Sequence, residues 1–564
     1  MTAILLSSQI LTVHLHQFTS IVTVNYLVMN SIKPDTYIPS KRQKTFTPKP
    51  YNPNTLAHST IKHRAAIQLQ KQYELDGYDP DGPDTIKNIL IQFISTAGDI
   101  TGNSIEIPIN VSIEQLKLLI NTILNQADDP LPYTFYLNNN EIIDTIYSHI
   151  HNINKLTTEQ ISTENILSIV YQPQSIFRVR NVTRCTSSLP GHTEPVLHVH
   201  FSPCSTKLAS GSGDCTVRLW DIHTQTPIHT MTGHRDHVLA TAWSPNAKYI
   251  ASGCNGNNGR ADVRIWDGST GQLIGKPLIG HKKFISSIVW EPIHANGTCR
   301  RVASSSGDGD IRIWDIIKSQ CITVFSGHTK EIWCIKWGHN NMIYSASKDT
   351  TIKVWNITTG TLIHTLYGHA LQIKSIALST DYAIRCGAYN QYGQAPDTVE
   401  LQQSAAQQKI TDSLKNTNGI EYLISGSDDG TLILWNPPQS NKPIRRMTGH
   451  QNYINYVCYS PDSRLIASAG FDKCVKLWNG ITGEYITTFR GHVQRVYQCS
   501  FSSDSRLLIS SSADSTIKLY DIKKQKMIDD LPGHADEVYA CDWAIDGSCV
   551  ASGGKDCVIK MWSH

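Results

Sequence analysis

Residues 449–478 read GHQNYINYVCYSPDSRLIASAGFDKCVKLW, and the fold follows from this stretch. After Gly449-His450 comes a strand-like run, INYVCY, then a polar turn, SPDSR, and a second run of small and apolar residues, LIASAG. Asp472 and Lys473 form another turn before VKLW ends the unit at Trp478. Short apolar runs separated by turn residues are the pattern of antiparallel strands. Working outward, the Gly-His pair recurs at 191–192, 233–234, 280–281, 327–328, 368–369, 449–450, 491–492 and 533–534. The closing aromatic recurs as Trp220, Trp266, Trp314, Trp355, Trp435, Trp478, Tyr520 and Trp562. Four short strands per unit make one blade, so the eight units predict an eight-bladed β-propeller over residues 178–564.

Spacing within the units carries more information than the dipeptides. Asp214, Asp308, Asp349, Asp429, Asp472, Asp514 and Asp556 each stand six residues before the closing aromatic, and a serine stands four residues before each of them. The units resemble WD40 repeats, in which the turn aspartate orients the Gly-His imidazole and the imidazole reaches the strand serine. The resemblance implies a buried structural network that includes His192 with Asp214, His328 with Asp349, His450 with Asp472, His492 with Asp514 and His534 with Asp556. A hydrolytic triad is a single constellation in a cleft, whereas this one is repeated, so the reading is architectural and the chain is expected to be no enzyme and to need no cofactor. Two units depart from the pattern. In the second, Arg260 occupies the aspartate position, which puts its network in doubt. In the fifth, residues 383–419 form an insertion rich in Gln, Ala and Ser, expected to be a surface excursion.

The flanking sequence divides further. Residues 1–84 are expected to be an N-terminal extension and linker. No charged residue precedes Lys33, yet polar residues, His14 and His16 interrupt the apolar stretches. Residues 1–28 therefore read as a disordered or wrongly assigned start, or as a weak targeting segment, and no membrane span is expected. Lys41, Arg42 and Lys44 form a small basic group within a Pro-rich segment. Residues 85–177 carry two strand patterns around AGDITGN, then SIEQLKLLINTILN with apolar residues at helical spacing and Ser112 with Gln115 as a capping box. Two further strands, within 130–142 and 166–174, complete the order of a ubiquitin-like β-grasp domain. The expected fold class is thus mainly β, a small α+β domain followed by a propeller.

Composition agrees. Of 564 residues, 40% are hydrophobic and 17% charged, with a formal net charge of +3; a globular chain with no general electrostatic pull toward nucleic acid follows. All fourteen cysteines lie from Cys185 onward without a CxxC pair, so they are expected as free thiols and not metal ligands.

The segments LIQFISTAGDITG, DDPLPYTFYLNNNEI, YQPQSIFRVRNVTRCTSSLPGH, LSTDYAIRCGAY and LPGHADEVYACDW, together with the repeat quoted at the outset, resemble the Notchless family of ribosome-assembly factors over residues 86–564. The resemblance implies a nuclear and nucleolar factor, monomeric within the particle, whose propeller sits on large-subunit pre-ribosomal proteins and ribosomal RNA. It also implies that the ubiquitin-like domain engages midasin, a giant AAA+ ATPase. In that family a glutamate in a Ser-Thr-Glu turn, seven residues before the Tyr of Tyr-x-Pro, completes the Mg²⁺ coordination of midasin's adhesion-site domain. Glu164 in STENILSIVYQP matches it; Glu141, Asp144 and Glu159 are weaker candidates. Rival readings are a ubiquitin-pathway substrate adaptor and a Notch-type signalling scaffold, neither of which has a motif of its own here.

Overall fold

In NILIQFIS, every second residue is apolar and large, and the strand Asn88–Ser95 (β1) buries Ile89, Ile91 and Phe93 while Asn88 and Leu90 face outward. This computed structural model describes residues 88–564 apart from 96–97, 125–131, 138–139, 143–144, 148, 150–165, 174–176, 257–258 and 438. The described residues fall into two units, one ending before Phe177 and one from Phe177 to His564.

The first unit is a five-stranded sheet. It comprises β1, Ile100–Pro108 (β2), Tyr133–Leu137 (β3), the two-residue Asn140–Glu141 (β4) and Leu167–Pro173 (β5), in the order β2-β1-β5-β3-β4. β1 and β5 pair in parallel, with Ile91 opposite Leu167, and the remaining pairs are antiparallel. A parallel pair needs a crossover, which the helix Ile113–Ile123 (α1) supplies on the way between β2 and β3. The Ser112 N–H donates to Gln115 Oε1 at 3.0 Å, closing one arm of the expected capping box. Leu116 and Ile120 on α1 pack with Ile89, Ile91, Phe93, Phe135 and Ile169 in one core.

The second unit is a ring of eight four-stranded sheets. In blade 1 the strands are Val196–Phe201, Lys207–Ser212, Val217–Asp221 and Pro227–Met231, from the axis outward. The inner strands of neighbouring blades touch all the way round, including Val538–Trp543 of blade 8 against Val196–Phe201 of blade 1. Blade 8 takes its outer strand from the other end of the unit. Arg184–Pro190 pairs with Val558–Ser563, placing Trp562 opposite Cys185 and Val558 opposite Pro190. Closure of this kind removes the free sheet edges that would otherwise remain along the axis. The closing aromatic of every unit is at most 4% exposed and fills the space between blades.

The fifth-unit insertion corrects the expectation of a surface excursion. Beginning slightly earlier than residue 383, it forms helices Asp381–Cys386 (α2) and Val399–Asn416 (α3). Ala406, Ile410 and Ser413 of α3 are buried. The Tyr389 hydroxyl donates to Asn246 O of blade 2 at 3.2 Å, and Asn416 Nδ2 to Asp462 O of blade 6 at 3.1 Å. Small side chains, which look like loop composition in one dimension, let a helix approach a face closely. Gly387 shows how closely: at φ +52° its Cβ position lies 2.7 Å from Pro245 O, so no side chain fits there. All fourteen cysteines are free thiols.

Candidate functional site

Each blade places its Gly-His imidazole behind the closing aromatic. In blade 1 the Trp220 indole N–H donates to Ser210 Oγ at 2.9 Å, Ser210 Oγ lies 2.8 Å from His192 Nε2, and His192 Nδ1 lies 2.7 Å from Asp214 Oδ2. A carboxylate is only an acceptor, so Nδ1 of the imidazole carries the proton that it donates to Asp214, and the indole N–H, only a donor, is taken up by the serine. The same contacts join His281 to Asp308, His328 to Asp349, His369 to Asp429, His450 to Asp472, His492 to Asp514 and His534 to Asp556, at 2.7–3.1 Å. The strand serines of these networks are fully buried, and seven of the eight serines hold an indole N–H. A hydroxyl so placed has no approach for a substrate, which separates the arrangement from a catalytic triad.

The second blade corrects the doubt raised by Arg260. Asp262, four residues before Trp266 instead of six, offers Oδ1 to His234 Nδ1 at 2.9 Å, while His234 Nε2 lies 2.7 Å from Ser252 Oγ. The carboxylate comes from the strand and not from the turn before it. Cys254 donates its thiol to the same Oδ1 at 2.9 Å, and Arg264 Nε donates to Oδ2. In blade 7 Tyr520 replaces tryptophan, and its hydroxyl is 3.4 Å from Ser510 Oγ, a weaker link.

Electrostatics hold these aspartates ionised. Burial alone would oppose the charge on Asp214, but hydrogen bonds from His192 and Thr216 outweigh it and keep the carboxyl well below the usual range. The same balance, led by the opposing burial, depresses Asp349, Asp429 and Asp514.

Sequence reasoning missed the axis of the ring. A cavity of about 420 Å³ runs between the inner strands and α2. Arg385 on α2 grips Asp542 of blade 8 with both terminal nitrogens, at 2.9 and 2.5 Å. Asp542 also accepts the Phe201 N–H of blade 1 at 2.9 Å. Asp381, at the start of α2, pairs with Lys336 of blade 4 at 3.0 Å. His198 and His200 stack beside this group, with ring centres 6.2 Å apart. Burial pushes His198 down to about 4 and His200 well below its ordinary value, despite the Asp542 charge near His198. Glu421, 2% exposed, accepts from the Tyr344 hydroxyl and the His339 N–H at 3.2 Å each and from Thr380 Oγ1. The available signal was a charge inside an apolar strand, Asp542 in VYACDW, and an arginine within the insertion, Arg385 in YAIRCG.

Glu164, Asp144 and Glu159 lie outside the described residues. Glu141 forms part of β4, paired with Tyr136. What is described beside Glu164 is the start of β5: Ile166 is 52% exposed and Leu167 enters the sheet against Ile91. Among the described residues, no helix is long and apolar enough to cross a membrane.

Comparison with known proteins follows the same division. The NLE (NUC135) domain pattern matches residues 89–150, and the WD domain, G-beta repeat pattern matches eight times between residues 183 and 563. The chain is 46% identical over 403 residues to Protein Notchless of Drosophila melanogaster, covering 70% of this chain and 80% of that protein. It is 43% identical over 424 residues to Ribosome assembly protein 4 of Saccharomyces cerevisiae, covering 72% and 81%. Among solved structures, the computationally designed Ika8 protein superimposes with a TM-score of 0.53 at 26% identity, over 68% of this chain and all of that one.

Proposed function

This chain belongs to the Notchless family of WD-repeat proteins, and from that premise we propose that it is a non-enzymatic assembly factor of the large ribosomal subunit. Its propeller holds the precursor particle, and its ubiquitin-like domain engages a midasin-type AAA+ ATPase, in the nucleus and nucleolus. The observation that carries the reading is the 43% identity to a protein named Ribosome assembly protein 4, which extends over 72% of this chain and 81% of that one. The physical chemistry is compatible with it. A closed propeller whose repeated polar groups are spent internally offers a rigid platform, and function then resides on its loops and faces.

Glu164 is the residue assigned to the ATPase. A hard divalent cation lacking a full set of oxygen ligands takes a carboxylate offered by a partner. Glu164→Ala is expected to leave both units folded and to abolish Mg²⁺-dependent binding to the midasin adhesion-site domain. Glu164→Asp, one methylene shorter, withdraws the oxygen from a cation that needs ligands at about 2.0–2.1 Å, and is expected to weaken binding. Calorimetry with and without Mg²⁺ decides the point: unchanged affinity of Glu164→Ala removes the residue from the site, and no binding by the wild type removes the ATPase from the proposal. Gradient sedimentation tests the particle itself, since a chain absent from large-subunit precursors refutes the assembly role.

A further inference from the structure

Two thiols on different blades meet beside the axial cavity. Cys458 stands on the inner strand of blade 6, Ile454–Tyr459, and Cys499 on that of blade 7, Val496–Phe501. Their sulfur atoms are 3.5 Å apart, and the Cys458 thiol also lies 3.6 Å from Cys499 O. Both line the cavity of about 420 Å³, several times the volume of a small peroxide. Cys458 is partly exposed and Cys499 only 1% exposed.

We propose that Cys458 and Cys499 form a peroxide-sensitive dithiol, in which Cys458 is oxidised from the cavity and Cys499 resolves it as a disulfide joining blades 6 and 7. The oxidant is a hydroperoxide. The Cys458 sulfur attacks the distal oxygen, the O–O bond breaks, and Cys458 becomes a sulfenic acid, while the departing oxygen takes the Cys458 thiol proton and leaves as water or an alcohol. Cys499 sulfur then displaces the hydroxyl of the sulfenic acid, and the Cys499 proton leaves with it as water. Two thiols and one peroxide thus give one disulfide, one water from the resolving step, and one further water or alcohol from the peroxide. The sulfurs must close from 3.5 Å to about 2.05 Å, a movement of about 1.5 Å.

The order of events follows from position. Cys458 faces the cavity. A hydrogen bond with Cys458, and then burial, hold the Cys499 thiol well above its ordinary pKa, so it keeps its proton until a sulfenic acid stands beside it. Of the neighbouring thiols, Cys334 lies 3.8 Å from Ile376 O, and Cys541, also on an inner strand, is not part of the cavity lining. In a reducing compartment such a bond is transient and reversible, which suits a response and not a structural staple.

Peptide mapping tests it directly. Trypsin leaves Cys458 in peptide 447–464 and Cys499 in peptide 496–506, one cysteine in each. Full-length protein freed of reductant is treated with hydrogen peroxide, alkylated and digested. The expected result is a linked pair of these two peptides, separated by reduction, with both thiols lost to alkylation together. Cys499→Ser should remove the link and leave Cys458 as a sulfenic acid that dimedone traps, whereas Cys541→Ser should leave the link intact. A bond from Cys499 to Cys541 overturns the proposal, as does Cys458 proceeding to sulfinic acid while Cys499 remains alkylatable. The wild-type map decides by itself if a serine variant does not fold.

Discussion

Replacing Asp514 with alanine removes one carboxylate from one blade and leaves its partners in place. Asp514 Oδ2 accepts from His492 Nδ1 at 2.8 Å and from the Val493 N–H at 3.0 Å. Its Oδ1 accepts from the Thr516 N–H at 3.1 Å and the Thr516 hydroxyl at 2.8 Å. These donors are not equally costly to strand. Val493 is 68% exposed and water can replace the aspartate there, whereas the His492 side chain is 1% exposed. The penalty is therefore mainly one buried imidazole N–H without an acceptor plus the lost charge-assisted bond, about 1–3 kcal/mol. Roughly 390 residues between Phe177 and His564 carry an unfolding entropy of about 0.8 kcal/mol/K, so the melting temperature should fall by about 1–4 °C. Asp514→Asn keeps an acceptor for the imidazole and should fall between alanine and wild type. Tryptophan fluorescence during heating and during urea unfolding reads both variants. If purified Asp514→Ala melts at the wild-type temperature with an unchanged urea midpoint, the buried-network argument fails for every blade.

Three other outcomes follow from the axis and the networks. Arg385→Met should cost about 3–5 kcal/mol, since it leaves the 4%-exposed Asp542 charged and unpaired, and adding Asp542→Asn should recover part of the loss; simple additivity in this double-mutant cycle would refute the coupling. Stability should hold above about pH 6.5 and decline below it. His198 and His200 have folded pKa values under the unfolded one, so the unfolded chain takes up their protons first, and the depressed aspartates continue the loss below about pH 4; a urea midpoint constant from pH 7 to 4.5 would contradict this. Tyr520→Phe should cost less than about 1 kcal/mol because the contact to Ser510 is 3.4 Å long, and a loss as large as that of Asp514→Ala would show that the hydroxyl does more than the geometry allows.

The repeat was legible because it is periodic. Gly-His, Ser, Asp and the closing aromatic occur at fixed separations, and each separation corresponds to one hydrogen bond of 2.7–2.9 Å along the chain from Trp478 through Ser468 and His450 to Asp472. The same periodic expectation misjudged blade 2, because spacing tracks position along the chain and the requirement is only that an oxygen reach His234. Asp262 meets it from the strand. The insertion was illegible for another reason. Its helix α3 is held by a few small residues, Ala406 and Ser413 among them, and one isoleucine, Ile410, so it carries little of the apolar periodicity that marks a buried helix. In the first unit, α1 with Leu116 and Ile120 in the core was plain from the same periodicity. Glu164 came only from resemblance, since nothing in a turn carboxylate distinguishes a ligand from a solvated charge.

What differs between blades accounts for what the insertion does. At corresponding places on the inner strands the chain carries His200, Lys336, Cys458 and Asp542, and α2 addresses two of them, pairing Asp381 with Lys336 and Arg385 with Asp542. Asp542 is also the residue that accepts the Phe201 N–H across the junction of blades 8 and 1. That junction adjoins the blade assembled from both ends of the unit, through the pairing of Arg184–Pro190 with Val558–Ser563. An element leaving blade 5 therefore reaches across the axis to the seam where strands from the two ends of the unit pair. By holding the carboxylate that bridges the two blades, Arg385 couples the far side of the ring to its seam. Separation of blade 8 from blade 1 must break the Phe201 N–H bond to Asp542 as well as the strand pairing, whereas separation of blade 8 from the blade-5 insertion must break the buried Arg385–Asp542 pair, so the one carboxylate ties both neighbours to blade 8.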